Sequence, residues 1–265
     1  MKDKPTIKEL ILVTVLFGFL IVKIFDATDA ISKQENQPVL SHPFVQVPIV
    51  VYHSFGPQIA FPESWMQRHY RIDTENFDAQ MQFLQDAGYT PITFNTLAQY
   101  YMNNASLPKK PIVLTFDDGW NSQYKYAVPI LEKYNFTGTF FIITNYTTDS
   151  YMNWDMIRDL DSKGFEIASH SENHPMLTRV SEDQLHQEIF DSKQKLERKL
   201  GHAISTMAYP DYATDERVQT TVKDAGYIAG RGGWKKDKNS KETLFDMRSQ
   251  EAVNNPDPFS DILMK

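Results

Sequence analysis

Short runs of β-branched and aromatic residues recur along this chain at 49–52, 90–93, 112–116, 138–143, 165–169, 205–209 and 227–229, with a less regular further run at 244–248. Between them the apolar spacing turns helical. Asp73 and Thr74 open a helix that aligns Phe77, Met81, Leu84 and Ala87 on one face and stops at Gly88; Ser181 opens a longer one through Leu185, Ile189, Leu196 and Leu200 to Gly201. Strand and helix alternating in this way build a parallel sheet with helices packed on it. Over roughly 220 residues the expected form is a distorted (β/α) barrel of seven or eight units.

Polar and ionisable residues collect just past the strand runs. His53 follows the first run, Asp117 and Asp118 the third, Asn145 the fourth and His170 the fifth. Tyr209 and Pro210 close the sixth, Arg231 follows the seventh, and Arg248 closes the eighth. The carboxyl ends of the strands are the face on which barrels and open α/β sheets assemble their sites. Loops are polar in any case, so this pattern raises the odds of a cleft only modestly.

Composition narrows the chemistry. The chain has 265 residues, 41% of them hydrophobic and 13% aromatic, enough to fill a sizeable core. The net charge of -7, with no basic stripe, argues against a nucleic-acid partner. The absence of cysteine excludes disulfides, a thiolate zinc site and a cysteine nucleophile, so a metal would have to be held by His, Asp or Glu.

The first 30 residues have the build of an export segment. Lys2, Lys4 and Lys8 precede an uncharged run at 10–22, followed by Lys23 and the small-residue stretch Ala27, Thr28, Asp29, Ala30. As a helix that run would cover about 20 Å, against about 30 Å of hydrocarbon. A cleaved signal and an anchor that touches the membrane through residues 8–25, with Lys23 snorkelling, are both open readings. Residues 31–47, with Pro38 and Pro43, read as a linker, and 48–265 as one folded domain, expected to be exported and monomeric.

Two clusters carry the chemistry. In Asp117-Asp118-Gly119 two adjacent carboxylates repel unless a cation or a division of labour separates them, although alone the triplet reads first as a solvated turn. In His170-Ser-Glu-Asn-His174-Pro175 two imidazoles lie four residues apart in a loop after a strand. It is not the zincin pattern, which needs Glu directly after the first His and a helix beneath. Together Asp118, His170 and His174 make a two-His, one-carboxylate set that leaves coordination positions open, and Asp117 is free to act as a base.

These motifs resemble those of the NodB-type polysaccharide deacetylases of carbohydrate esterase family four. Thr115-Phe116-Asp117-Asp118-Gly119 is similar to their first motif and His170-Ser171-x-x-His174 to their second. The resemblance implies a metal-dependent N-deacetylase on a distorted barrel. Asp118, His170 and His174 would hold a divalent ion, Zn2+ first and Co2+, Ni2+ or Mn2+ as alternatives, with Asp117 as base. It also implies that the residue after the third-motif proline, Asp211, offers its N–H to the oxyanion, with Tyr209 and Tyr212 beside the substrate. No histidine follows His202, so the C-terminal general acid usual in the family is missing. Val50-Val51-Tyr52-His53 resembles the rearranged motif of poly-N-acetylglucosamine deacetylases of biofilm systems, which makes His53 the expected acid.

There are departures. Ala208 stands where the family has an Arg that steadies the catalytic Asp, so another cation is expected at Asp117, Arg248 first and Arg231 second. Loop aromatics, Trp120, Tyr151, Trp154 and Trp234 among them, are candidates for stacking on sugars, with Trp154 better read as packing. The expected substrate is an N-acetylated polysaccharide of the poly-N-acetylglucosamine type. Alternatives are peptidoglycan or chitin deacetylation, O-acetyl ester hydrolysis, or non-catalytic carbohydrate binding.

Overall fold

The computed structural model describes residues 45–58, 70–147, 149–233 and 238–255, all within the unit Val45–Lys265. Segment 1–30, most of the linker 31–47 and Trp234 lie outside the described residues. Among the described residues no helix is long and apolar enough to cross a membrane.

The strands expected from the sequence form a curled, all-parallel sheet. β1 (Ile49–Tyr52) is followed by a short pair, β2 (Ser54–Gly56) and β3 (Arg71–Asp73), which make a small sheet of their own. Helix α1 (Thr74–Asp86), β4 (Thr90–Ile92), α2 (Phe94–Asn103) and β5 (Pro111–Phe116) come next. Then follow α3 (Val128–Lys133), β6 (Thr139–Ile142), α4 (Trp154–Ser162) and β7 (Glu166–Ser169). The C-terminal third holds α5 (Glu182–His186), α6 (Ser192–Leu200), β8 (Thr206–Ala208), α7 (Glu216–Asp224), β9 (Ala229–Arg231) and β10 (Gln250–Glu251). The spatial order is β10-β1-β5-β6-β7-β8-β9, with β4 paired to the first half of β5.

β1 and β5 are buried along their whole length, as parallel strands covered on both faces must be. The pleat sorts their side chains into two apolar layers. Val50, Tyr52, Leu114, Phe116, Phe140, Ile142, Ile167 and Met207 point outward and pack with Phe77 and Leu84 of α1, Leu131 of α3 and Leu196 of α6. Ile49, Val113, Phe141, Ala168, Ala208 and Ala229 point inward and meet Phe94, Leu97, Ala98 and Tyr101 of α2, which closes the amino-terminal floor. The half-buried Glu166 anchors that floor, accepting from the Asn95 N–H (2.9 Å), Thr139 Oγ1 (2.8 Å) and Thr206 Oγ1 (2.6 Å).

Three expectations need correction. The eighth strand is not 244–248: Ser240 to Asp246 turn on themselves, Met247 makes one bridge to Arg231, and the strand itself is β10, paired with Val50 and Val51. The segment 247–251 thus spans between the two ends of the sheet. The long helix from Ser181 is interrupted by a π turn at Gln187–Asp191 between α5 and α6. Asp73 precedes α1 without capping it, because its carboxylate is held by Arg71 (2.9 Å) and Asn254 (3.1 Å).

Candidate functional site

The inward parity of β1, β5 and β7 continues one step past their ends, 49 and 51 leading to 53, 113 and 115 to 117 and 168 to 170, and in β9 it carries 229 to 231 at the last residue of the strand. His53, Asp117, His170 and Arg231 therefore converge over the core. The buried Gln123 side chain ties two of these ends together, donating to the His53 carbonyl (2.8 Å) and the Asp117 carbonyl (2.5 Å).

After β5 the chain turns in the left-handed region at Asp118 (φ 74°) and Gly119 (φ 75°). A Gly removes the steric cost of that conformation at the second position. The reversal separates the two carboxylates. Asp118 Oδ1 lies 3.5 Å from His170 Nε2 and 3.5 Å from His174 Nε2, while Asp118 Oδ2 accepts from the Trp120 indole at 2.8 Å. His170 Nδ1 faces the Ala208 carbonyl at 2.9 Å, so with its proton on Nδ1 the lone pair of Nε2 is aimed at Asp118. One ligand atom from each of Asp118, His170 and His174 falls within 4.8 Å of the others, and among the described residues this is the group able to hold a metal ion. Two imidazoles and one carboxylate, oriented from behind and open on one side, fit a divalent cation that keeps free positions.

Burial opposes ionisation of Asp118, but with the proton on His170 Nε2 instead, the ring donates to the carboxylate, and that hydrogen bond and the charges of His53, His170 and His174 hold it well below the usual range; a bound cation would take the place of that proton. Burial, assisted by His170, lowers His174 against the pull of Asp118, Asp211 and Asp117.

Asp117 turns toward the barrel interior, its Oδ2 3.9 Å from His170 Nε2, and is ion-paired with the fully buried Arg231. The guanidinium also donates to Ser249 Oγ (3.1 Å) and lies between the rings of Phe141 and Tyr212, each 5.2 Å away. Burial lowers the Arg231 pKa and Asp117 counters it. The order expected for the two arginines is thus reversed, and alternation explains it. Met247 lies in the inner layer and Ser249 reaches Arg231, so Arg248 between them points away, its backbone held by Asn239 (2.7 and 3.0 Å). Arg231 and Ala208 are register partners on adjacent strands, which puts the cation one strand over from the position left by Ala208.

His53 completes the ring. Its Nε2 is 4.0 Å from Asp117 Oδ2, its Nδ1 is 3.5 Å from Glu251 Oε2, and its ring packs on Tyr70 at 4.7 Å. Burial pushes its pKa down, but the Glu251 carboxylate, with Asp117 and Asp118 behind it, raises it to about 9. Glu251 is a site residue that sequence reasoning missed. It sits in register with Val51, beside the strand that carries His53, and only knowledge of that pairing would have pointed to it.

All the expected site residues except the two arginines line one cavity of about 350 Å3, joined by Tyr70. Asp211 (φ 55°) and Tyr212 (φ 57°) enter it from a left-handed turn. The Tyr209 hydroxyl is turned away from it and donates to the Phe245 carbonyl at 2.7 Å. Trp120 stacks on Tyr151 at 4.5 Å, and Tyr151 in turn contacts Tyr146 at 5.1 Å, an aromatic series leading from Asp118 toward the surface. Trp154 packs against the outer apolar layer, in line with its structural reading.

Residues 104–230 match the polysaccharide deacetylase family. The Bacillus subtilis protein YxkH, named for the same family, is 25% identical over 186 residues, which cover 70% of this chain and 63% of its own. The poly-beta-1,6-N-acetyl-D-glucosamine N-deacetylase of Staphylococcus aureus is 26% identical over 185 residues, 64% of this chain and 63% of its own. The chain thus spans less than two thirds of the length of these two relatives. Among solved structures, the Streptococcus pyogenes deacetylase PplD in complex with acetate superposes with a TM-score of 0.75 at 25% identity, covering 82% of this chain and 98% of that one. His53, Arg231 and Glu251 all lie outside the matched residues 104–230.

Proposed function

We propose that this chain, a relative of the polysaccharide deacetylases, is a metal-dependent hydrolase that removes N-acetyl groups from N-acetylglucosamine units of an extracytoplasmic polysaccharide. The observation that carries this reading is one cavity holding three elements together: the Asp118, His170 and His174 set, a carboxylate paired with a buried cation, and a histidine raised to about 9.

Asp118, His170 and His174 would hold a divalent ion, in our reading Zn2+, which supplies Lewis acidity toward the acetyl carbonyl and the attacking water. Asp117 accepts the proton of that water. Its Oδ2, ion-paired with Arg231, is also the oxygen that faces the site, 3.9 Å from His170 Nε2 and 4.0 Å from His53 Nε2. His53 carries a proton at neutral pH, because its raised value lies above 7, and delivers it to the departing nitrogen as the C–N bond breaks. Acetate and a free amine result. The Asp211 backbone and Tyr212 flank the cavity where the oxyanion and sugar would sit.

The placement of His53 directly after the first strand and the similarity to a poly-beta-1,6-N-acetyl-D-glucosamine N-deacetylase favour a polymer of that type. Export through residues 1–30 and a folded domain over 48–265 belong to the same proposal. The non-catalytic reading rests on Ala208 and Asp211; Arg231, one strand over, supplies Asp117 with the cation that Ala208 does not. The test is acetate release by purified protein from β-1,6- and β-1,4-linked N-acetylglucosamine oligomers, peptidoglycan fragments and an acetate ester, with chelator and with added Zn2+. Zn2+-restored release from the β-1,6 oligomers, lost in Asp117→Asn, is the expected result. Release from the ester alone, or none from any substrate, overturns the proposal.

A further inference from the structure

His170 and His174 are joined by a strained loop. Ser171 (φ 63°) and His174 (φ 58°) both lie in the left-handed region, which costs of order 1 kcal/mol or more for residues with a Cβ. Such a loop keeps its shape only if the surroundings over-determine it. Ser171 Oγ accepts from the His174 N–H at 2.9 Å, and the Ser171 and Glu172 carbonyls accept from Thr144 N (3.2 Å) and Asn145 N (3.0 Å) at the end of β6.

Three further donors of the loop go to one side chain. Glu188, in the π turn between α5 and α6 and only 3% exposed, accepts from the Glu172 N–H (2.9 Å) and the Asn173 N–H (2.8 Å) on Oε2, and from Asn173 Nδ2 (2.9 Å) on Oε1. A chain of amides extends from there. Asn145 Nδ2 donates to Asn173 Oδ1 at 2.6 Å, and Lys195 donates to Asn145 Oδ1. A cation at one end and an anion at the other fix the orientation of both amides. The two charged residues stand seven apart on one helical stretch, so that stretch pins the loops after β6 and β7 at once.

We propose that Glu188 is a positioning residue for the metal-ligand loop, setting the separation of His170 and His174 and hence the affinity and geometry at which a divalent cation is held. The inference rests on the metal-site reading above. Three donors converge on its two oxygens. Glu188→Gln keeps the shape but offers one acceptor and places an amide NH2 where an acceptor is needed; Glu188→Ala leaves all three donors buried without a partner.

The test is Co2+ titration of the full chain followed by visible absorption, for wild type, Glu188→Gln, Glu188→Ala and Glu197→Ala, with a thermal unfolding curve for each. Glu197 serves as the control: it lies on the same helical stretch but binds Lys193 (2.6 Å) and the Ile204 N–H (3.0 Å), away from the loop. Both Glu188 variants are expected to weaken Co2+ binding within the range of about 10–100-fold seen for groups that orient ligands, Gln near the low end, with an altered Co2+ spectrum. Glu197→Ala is expected to lower Tm and leave affinity and spectrum unchanged. Wild-type affinity and spectrum in Glu188→Gln, or equal weakening in Glu197→Ala, overturns the role of Glu188 alone. Failure of the wild type to bind Co2+ overturns the metal site together with it.

Discussion

Replacing Glu251 by Gln removes the carboxylate that faces His53 and leaves the shape of the pair intact. The separation is 3.5 Å, for which Coulomb's law gives about 5 kcal/mol at an effective dielectric near 20 and about 1 kcal/mol in bulk water. At 1.36 kcal/mol for each pKa unit, the carboxylate is worth roughly one to three units. His53 sits at about 9 with Glu251 present, against an ordinary 6.5, although burial works in the opposite direction. With the carboxylate gone, only Asp117 and Asp118 oppose burial, and the value falls by an amount within that Coulomb range. The assay is NMR titration of the His53 ring proton in metal-free wild type and Glu251→Gln. A bound dication would lower both values through its own charge and preserve the difference, so the basic limb of kcat/KM should shift in the same direction. The linkage sign follows. A histidine raised in the folded state contributes stability that is fully present below about 6.5 and lost as pH rises through about 9. Burial raises the Glu251 pKa against the pull of His53, so the substitution also relieves a buried charge, and the stability of Glu251→Gln relative to wild type should be lower at pH 6 than at pH 10. A His53 value unmoved by the substitution would refute the assignment of Glu251 as its charge partner.

The two arginines differ sharply. Arg231→Met strands Asp117 in the interior and should destabilise the fold by about 3–5 kcal/mol in chemical denaturation while abolishing turnover; Arg248→Met, facing away from the site, should stay within about 0.5 kcal/mol and keep activity. Trp120→Phe frees Asp118 Oδ2 from its indole donor, and Co2+ affinity measured by titration should fall about tenfold. Phe94→Ala opens the floor beneath the inner layer and should cost about 3–5 kcal/mol by thermal unfolding with no change in KM.

The strand runs were legible because they combine β-branched and aromatic residues with turn residues on either side, and the main ladder follows them to within one or two residues at most ends. The grouping of Asp118, His170 and His174 was legible for a related reason: the residues sit in two short motifs just after strands β5 and β7, where the local pattern already says which end of the sheet they occupy. What could not be read was anything that depends on a strand boundary or on a partner across the sheet. Moving β9 from 227–229 to 229–231 turns Arg231 from a residue beyond a strand into an inward-facing member of it. Moving the last strand from 244–248 to 250–251 turns Arg248 outward and brings in Glu251.

The same parity rule accounts for both the successes and the misses, because a one-residue change of register exchanges the two faces of a strand. Where a motif names its own position, as Asp117-Asp118-Gly119 does, an error in the strand boundary is harmless. Where a residue is identified only by the direction it faces, the boundary decides everything. Asp117 needed a cation and His53 an anion, and both came from the last strands of the sheet, whose hydrophobic signal is the weakest. The groups that tune this site are therefore held by pairing rather than by motif. Activity should accordingly depend on the closing segment 247–251 as strongly as on the two motifs.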